Sequence, residues 1–355
     1  MLFPARLALL FFALIASCGE APAPERAATE DDAPAARTEG PAVIRTAITL
    51  GQFDGEVTDL AFYEAPDLGF QGQVIAANGE AGIAVVGVSG TEARVIDPGL
   101  IAEAVAVTYA FDRREGSILA LSAQGTLVVL NTSGEELARL DSPGDTALDL
   151  CALGDRAAML IDGHLQMIDL IQSDDGTAAM NQGPLIENGS MMSCDATAQG
   201  FFFSDGKAVF QLDADDTLAV TSQRAEHFPL ILAGEVPVGV TVARGLIRVD
   251  GTPLLVETED GAPLIITRAE AVGGNFGGVL RDGVIALLDE TGALHLAPWA
   301  AAANTVGAAT KAPSLRPAAA DVDLEITITR PDDALNLDLE SPRFDNDDLP
   351  RPPGQ

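Results

Sequence analysis

A strand–turn–strand phrase punctuated by glycine returns about every 40 residues along this chain, and such a repeat restricts the fold more than any other feature. It reads GQVIAANGEAGIAVVGVSG at Gly72–Gly90, GSILALSAQGTLVVLNTSG at Gly116–Gly134 and GDRAAMLIDGHLQMIDL at Gly154–Leu170. Further copies are GFFFSDGKAVFQLDADD at Gly200–Asp216, GLIRVDGTPLLVETEDG at Gly245–Gly261 and GGVLRDGVIALLDETG at Gly277–Gly292. Each joins two apolar runs through a tight polar turn, most often Asp-Gly. That dipeptide suits a two-residue hairpin, because both central positions take positive φ. A lone hairpin leaves its apolar face in water, so such units gain a core only by stacking. Six copies therefore predict an all-β fold, a six-bladed β-propeller of four-stranded blades.

The blades are expected at 55–99, 100–144, 145–188, 189–227, 228–271 and 272–303. The sixth is one strand short, and Ala42–Leu50 is a strand without a blade. Pairing the two closes the ring and removes the open edges of a linear stack. An α/β fold is excluded for lack of helical periodicity between the strands. A β-sandwich does not call for matching phrases at even spacing. A membrane barrel needs aromatic girdles, and the chain has one Trp and two Tyr.

Residues 1–17 read as a secretory signal, with Arg6 ahead of an apolar run from Leu7 to Ala16 too short to span a bilayer. The run ends in Ile15-Ala16-Ser17-Cys18, which resembles a bacterial lipoprotein signal and implies acylation at Cys18, palmitate among the acyl groups. Residues 18–41 form an Ala, Pro and Glu-rich tether, the propeller occupies 42–303, and 304–355 is an Ala/Pro-rich spacer with an acidic tail. That tail has the composition of a segment that is disordered or folds on a partner, although Asp321–Thr329 alternates polar and apolar residues like an edge strand. The reading places the protein in the bacterial envelope, on the periplasmic side of the outer membrane, held to the bilayer through Cys18. In that oxidising setting Cys151 and Cys194, which precede successive repeat phrases, are either a disulfide between adjacent blades or two buried thiols.

The formal net charge is −33, from 53 acidic and 20 basic residues, and lysine occurs only at Lys207 and Lys311. Such a surface repels nucleic acid and anionic lipid. It attracts divalent cations or a basic protein, and it also keeps a protein soluble in salt. The three histidines, His164, His227 and His295, stand in different blades without metal-ligand spacing. No nucleophile elbow or Walker loop occurs, and VGGNFGG at Val272–Gly278 lacks the strand–helix setting of a phosphate loop. Asp162, Asp205, Asp250 and Asp282 each precede a repeat glycine. If the copies superpose, these carboxylates form one ring able to hold calcium; turn chemistry accounts for the same residues.

VTYAF at Val107–Phe111, LDLCALG at Leu148–Gly154, MMSCDATAQGFFFSDG at Met191–Gly206 and the GIAVVGVSGTEARV hairpin resemble the β-propeller phytase family over roughly 55–296. That resemblance implies a calcium-loaded acidic face that hydrolyses inositol phosphates, the cations bridging phosphate to carboxylate and preparing a water. The family's acidic motifs are thinned here. Near the first blade only Asp59, Glu64 and Asp67 remain, the second cysteine is followed by Asp195 alone, and Asp205 stands where paired glutamates are expected. Two functions follow. The first is a lipid-anchored, non-enzymatic scaffold that binds another envelope protein or a ligand. The alternative is a calcium-dependent phosphomonoesterase acting on a phosphorylated small molecule, with Asp59, Asp195 and Asp205 as catalytic candidates and Asp205, Asp250 and Asp282 as metal ligands.

Overall fold

The structure is a computed structural model. It describes residues 43–306 apart from 54, 66–70, 91–92, 112–114, 142–145, 188–189, 198–199, 214–215, 223–229, 234–235, 242–244 and 249–252; between 222 and 252 the only side chain described is Leu246. Cys18, the signal and tether, His227, Asp250, Asp67 and the tail from Gly307 lie outside the described residues.

The chain enters through two short strands, β1 (Val43–Arg45) and β2 (Ile48–Gln52). Blade 1 is β3 (Asp59–Tyr63), β4 (Gln73–Ala77), β5 (Ile83–Gly87) and β6 (Ala93–Ile96). Blade 2 is β7 (Ala102–Thr108), β8 (Ser117–Ser122), β9 (Thr126–Asn131) and β10 (Glu136–Asp141). Blade 3 is β11 (Ala147–Leu153), β12 (Arg156–Ile161), β13 (His164–Gln172) and β14 (Ala178–Ile186). Blade 4 is β15 (Ser193–Thr197), β16 (Gly200–Ser204), β17 (Val209–Leu212) and β18 (Leu218–Ser222). Each is an antiparallel meander with its strands in chain order.

Among the described residues, blade 5 departs from the four-strand pattern. Its sheet is β19 (Leu230–Ala233), β20 (Val236–Thr241) and β21 (Gly245–Arg248). The chain then forms β22 (Leu255–Glu257) and β23 (Pro263–Leu264), which make a small separate sheet with β1. Blade 6 is β24 (Ile266–Val272), β25 (Val284–Asp289) and β26 (Ala293–Pro298), with β2 as its outermost strand. The closing strand thus comes from the N-terminal side, in the register Ile48 to Leu296 and Thr49 to His295. Round the ring, β3 touches β7, β7 touches β11, and the series runs through β15, β19 and β24 back to β3. Six blades close on one another.

Two expectations need correction. The strand β24 opens blade 6 rather than ending blade 5, so the final boundary lies near 266 instead of 272. Its sequence ITRAEAV carries Arg268 and Glu270 because it faces the channel, and that polarity hid its place as a first strand. The spacer expected from 304 begins inside a helix, since α1 (Trp299–Val306) follows β26 directly. Four consecutive alanines, the best helix formers, account for it. Among the described residues no helix is long and apolar enough to cross a membrane.

The core is a set of layers between blades, not a single mass. Alternate residues of each strand face opposite neighbours. On β5, Ala84 packs toward blade 6 with Val284, Ala286 and Leu288, while Ile83 and Val85 pack toward Val105, Ile118 and Val128 of blade 2. Leu119, Leu121 and Val129 meet Met159 and Ile168 of blade 3, and Leu160 and Met167 meet Phe203 of blade 4. Turn chemistry does what the sequence asks: Asp162 and Gly163, between β12 and β13, have φ of 53° and 75°.

A buried relay fastens the closing strand. His295 on β26 bonds Asp289 Oδ2 through Nε2 at 2.9 Å, and its Nδ1 meets Thr49 Oγ on β2 at 3.0 Å. Burial pushes the Asp289 carboxyl up, but hydrogen bonds from the Thr291 hydroxyl, His295 and the Ala293 and Thr291 amides outweigh it and hold it low. Thr49, His295 and Asp289 have the residue types of a nucleophile triad, but two of the three are fully enclosed at the blade seam, where they serve closure.

Candidate functional site

The first strands of the blades surround a channel, and β3, β11, β15 and β24 each turn an acid toward it. A cavity of about 60 Å³ is lined by Asp59 and Glu64 of the first blade, Asp149 of β11, Asp195 of β15, and Arg268 and Glu270 of β24. It has room for a few waters. Asp59 and Asp195, both selected from sequence, meet here. Asp149 and Glu270 join them and were missed. Asp59, Asp149 and Asp195 each stand inside a short apolar run, spaced by two repeats and then one. An aspartate interrupting the same strand at repeat spacing was the available signal; Glu270 had none beyond its strand's alternation.

Each aspartate is held by backbone amides. Asp59 Oδ1 accepts from Leu60 N at 2.8 Å, and its Oδ2 accepts from Val105 N of β7 at 2.8 Å. Asp149 repeats the arrangement, with Leu150 N at 2.8 Å and Cys194 N of β15 at 2.7 Å. Asp195 Oδ1 accepts from Ala196 N at 2.7 Å. Two of these carboxylates therefore bridge from their own strand to the next blade. Arg268 of blade 6 likewise reaches the next blade round the ring, as a donor, its Nε bonding Thr58 O of the first blade at 2.7 Å and its Nη1 bonding Thr267 O at 2.8 Å.

Electrostatics follow from crowding acids at the centre of the molecule. By surface area Asp59, Asp149 and Glu270 are half-buried, because they border the cavity. Burial raises the Asp149 carboxyl to about 7, against the amide bonds of Cys194 and Leu150 and the Arg268 charge. Asp59 is pushed well up by burial and then by Asp149, and Glu270 by burial and then by Asp195, Asp59 and Asp149. The guanidinium of Arg268 offsets part of the repulsion at Asp59 and Asp149.

Blades 1 and 2 flank the cavity with an aromatic pair. Tyr63 and Tyr109 stack at 6.4 Å, and the Tyr109 hydroxyl accepts from Glu64 N at 2.8 Å and donates to Glu64 O at 3.1 Å. Gly116 lies against both rings with φ of +65°; a Cβ there stands 3.0 Å from Tyr109 and 3.1 Å from Tyr63. Nearby, Cys151 and Cys194 are bonded, joining β11 to β15 with Cα atoms 5.9 Å apart.

The proposed ring of turn aspartates does not assemble among the described residues. Asp205 sits between β16 and β17, its Oδ1 accepting from Lys207 N and Ala208 N at 2.8 and 2.7 Å. Asp282 lies in the β24–β25 connection, beside Arg281 at 3.4 Å. Connections between first and second strands and between second and third strands lie at opposite ends of a blade, so these two carboxylates occupy opposite rims. The cause is a slip in the repeat: Gly278–Leu280 is a 3₁₀ turn where the phrase suggested a strand. No group of three or more His, Cys, Asp and Glu among the described residues is arranged to hold a metal.

No family model matches the chain, and no curated protein matches it. Solved structures do. One titled as the structure of U3-55K is 11% identical, covers 70% of this chain and 79% of its own, and has a TM-score of 0.44. The RRP9 WD40 repeats are 11% identical over 70% and 78%, with a TM-score of 0.46. PorZ, titled as a surface component of the type-IX secretion system of Porphyromonas gingivalis, is 13% identical over 71% of this chain and 34% of its own, with a TM-score of 0.39. Similarity at that level assigns no role to this chain.

Proposed function

We propose that this protein is a lipid-anchored cell-envelope propeller that works as a non-enzymatic interaction or ligand-binding scaffold. The observation that supports it is how the channel carboxylates are used. Asp59 and Asp149 each engage both oxygens with backbone amides, one of them on the next blade. Carboxylates held this way act as pins of the ring, with part of their acceptor capacity already taken up by the blades. A closed ring of pinned blades leaves the rim loops free to vary, which is where a scaffold meets its partner.

The calcium-dependent phosphatase reading rests on the resemblance to β-propeller phytases and on five acids meeting at one cavity. It requires those acids to take up calcium on the acceptor sites that their amide bonds leave open. A calcium titration with a parallel phosphate-release assay on inositol hexakisphosphate separates the two readings, the scaffold expecting no turnover. The anchor has its own test. Cys18→Ser is expected to move the protein from the membrane to the soluble fraction and to remove the acyl mass; a variant that stays membrane-bound refutes anchoring at Cys18.

A further inference from the structure

At the seam where the ring closes, the outer strands of blades 6 and 1 stand apart. The gap is a groove of about 360 Å³, walled by Leu50 and Phe53 on the blade 6 side and by Val86, Ala93 and Val95 of blade 1. Its walls are mostly apolar, and Val95 remains 63% exposed although it belongs to a strand. Among the described residues, β6 is the outermost strand of its sheet, with β5 beside it. Arg94 is the one charged residue among the described residues lining the groove, its guanidinium donating to Thr132 O of blade 2, in a chain with 53 acidic and 20 basic residues.

The chain itself carries a segment of matching pattern. Asp321–Thr329 places Val322, Leu324, Ile326 and Ile328 on one face of an extended strand, and Asp321, Asp323 and Glu325 on the other with two threonines. The connection is long enough. Leu294 of β26 lines the groove, and α1 leaves the end of that same strand. Along the backbone, Val306 is therefore within about 25 Å of Leu294. The residues between Val306 and Asp321 span up to about 50 Å when extended.

We propose that Asp321–Thr329 occupies this groove in cis, adding a strand beside β6 so that its apolar face covers Val95, Ala93, Leu50 and Phe53. Its acidic face then turns outward, within reach of Arg94. Strand addition at a free edge supplies main-chain hydrogen bonds, and alternate side chains fill the pocket. The tail would thereby cover the edge that the seam leaves open.

Hydrogen exchange on the full chain tests this, read on peptides spanning 321–329 and 93–96. Both are expected to exchange at least about tenfold more slowly than free chain, at any protein concentration. Ile326→Asp, which leaves the propeller's own residues intact, should release both segments, and Val95→Glu should release the tail. The proposal is overturned if the tail exchanges at the free-chain rate in the unaltered protein, or if Val95→Glu leaves its protection in place. Protection that grows with concentration alongside a dimer in ultracentrifugation would assign the groove to a second copy instead.

Discussion

Reducing the Cys151–Cys194 bond is expected to lower the thermal midpoint by roughly 10 °C, because it frees a long loop in the unfolded chain. The two cysteines are 43 residues apart. Closing a loop of that size restricts the unfolded ensemble by about 4 kcal/mol in the chain-entropy account. The sulfurs lie in the layer between blades 3 and 4, among Leu160, Met167 and Phe203. Reduction therefore leaves two thiols that still pack as small apolar groups, and the loss falls chiefly on the unfolded side. Thermal melts with and without reductant, with the Cys151→Ala/Cys194→Ala pair as control, measure the effect. Unchanged melts under full reduction would show that the bond contributes nothing.

Stability is expected to fall as pH rises from about 5 to 8, the reverse of what paired surface carboxylates produce. Asp149 moves from an ordinary value of 3.8 to about 7 in the folded protein. Between those values the native state holds a proton that the unfolded chain has lost. The stability this confers is full below 3.8 and is lost as pH approaches 7. For Asp149 alone the change is at most about 4 kcal/mol. Asp59 and Glu270 are raised by the same burial and act in the same direction. Asp289 is lowered, so its contribution is present above its ordinary value and disappears only in stronger acid. Surface repulsion also grows with pH in so acidic a chain, but salt screens it and leaves the enclosed channel largely unscreened. Melts across this range in high salt should retain the slope, and Asp149→Asn should remove part of it. A midpoint that climbs with pH, or a slope untouched by Asp149→Asn, would contradict the assignment.

The sequence made the architecture readable because each hairpin must bury its faces against neighbours. Glycine and aspartate mark the turns, as at Asp162-Gly163, and the unpartnered strand upstream of the first repeat foretells closure. The repeat was least legible where strands serve the channel. Ile266–Val272 carries Arg268 and Glu270 on its inward face, so its apolar content is too low to announce a first strand. The site was half legible for a related reason. Asp59 and Asp195 stood out beside recognisable phrases, whereas Asp149 was concealed in LDLCALG, where the cysteine drew the reading. Asp205 and Asp282 share a place in the repeat phrase but not a rim, since spacing alone does not say which rim a turn occupies. Blade 5 shows a further limit: a three-stranded sheet and the small β1–β22–β23 sheet stand where the even spacing predicted four strands.

The channel acids are proposed to pin the blades without binding calcium. Calorimetric titration of calcium into the full chain, alongside Asp59→Asn and Asp195→Asn, tests it most directly. The account predicts only weak heats that vanish with added salt, unchanged in either variant, and no phosphate released from inositol hexakisphosphate. Tight, stoichiometric binding of two or more ions, lost in those variants and accompanied by phosphate release, would contradict it.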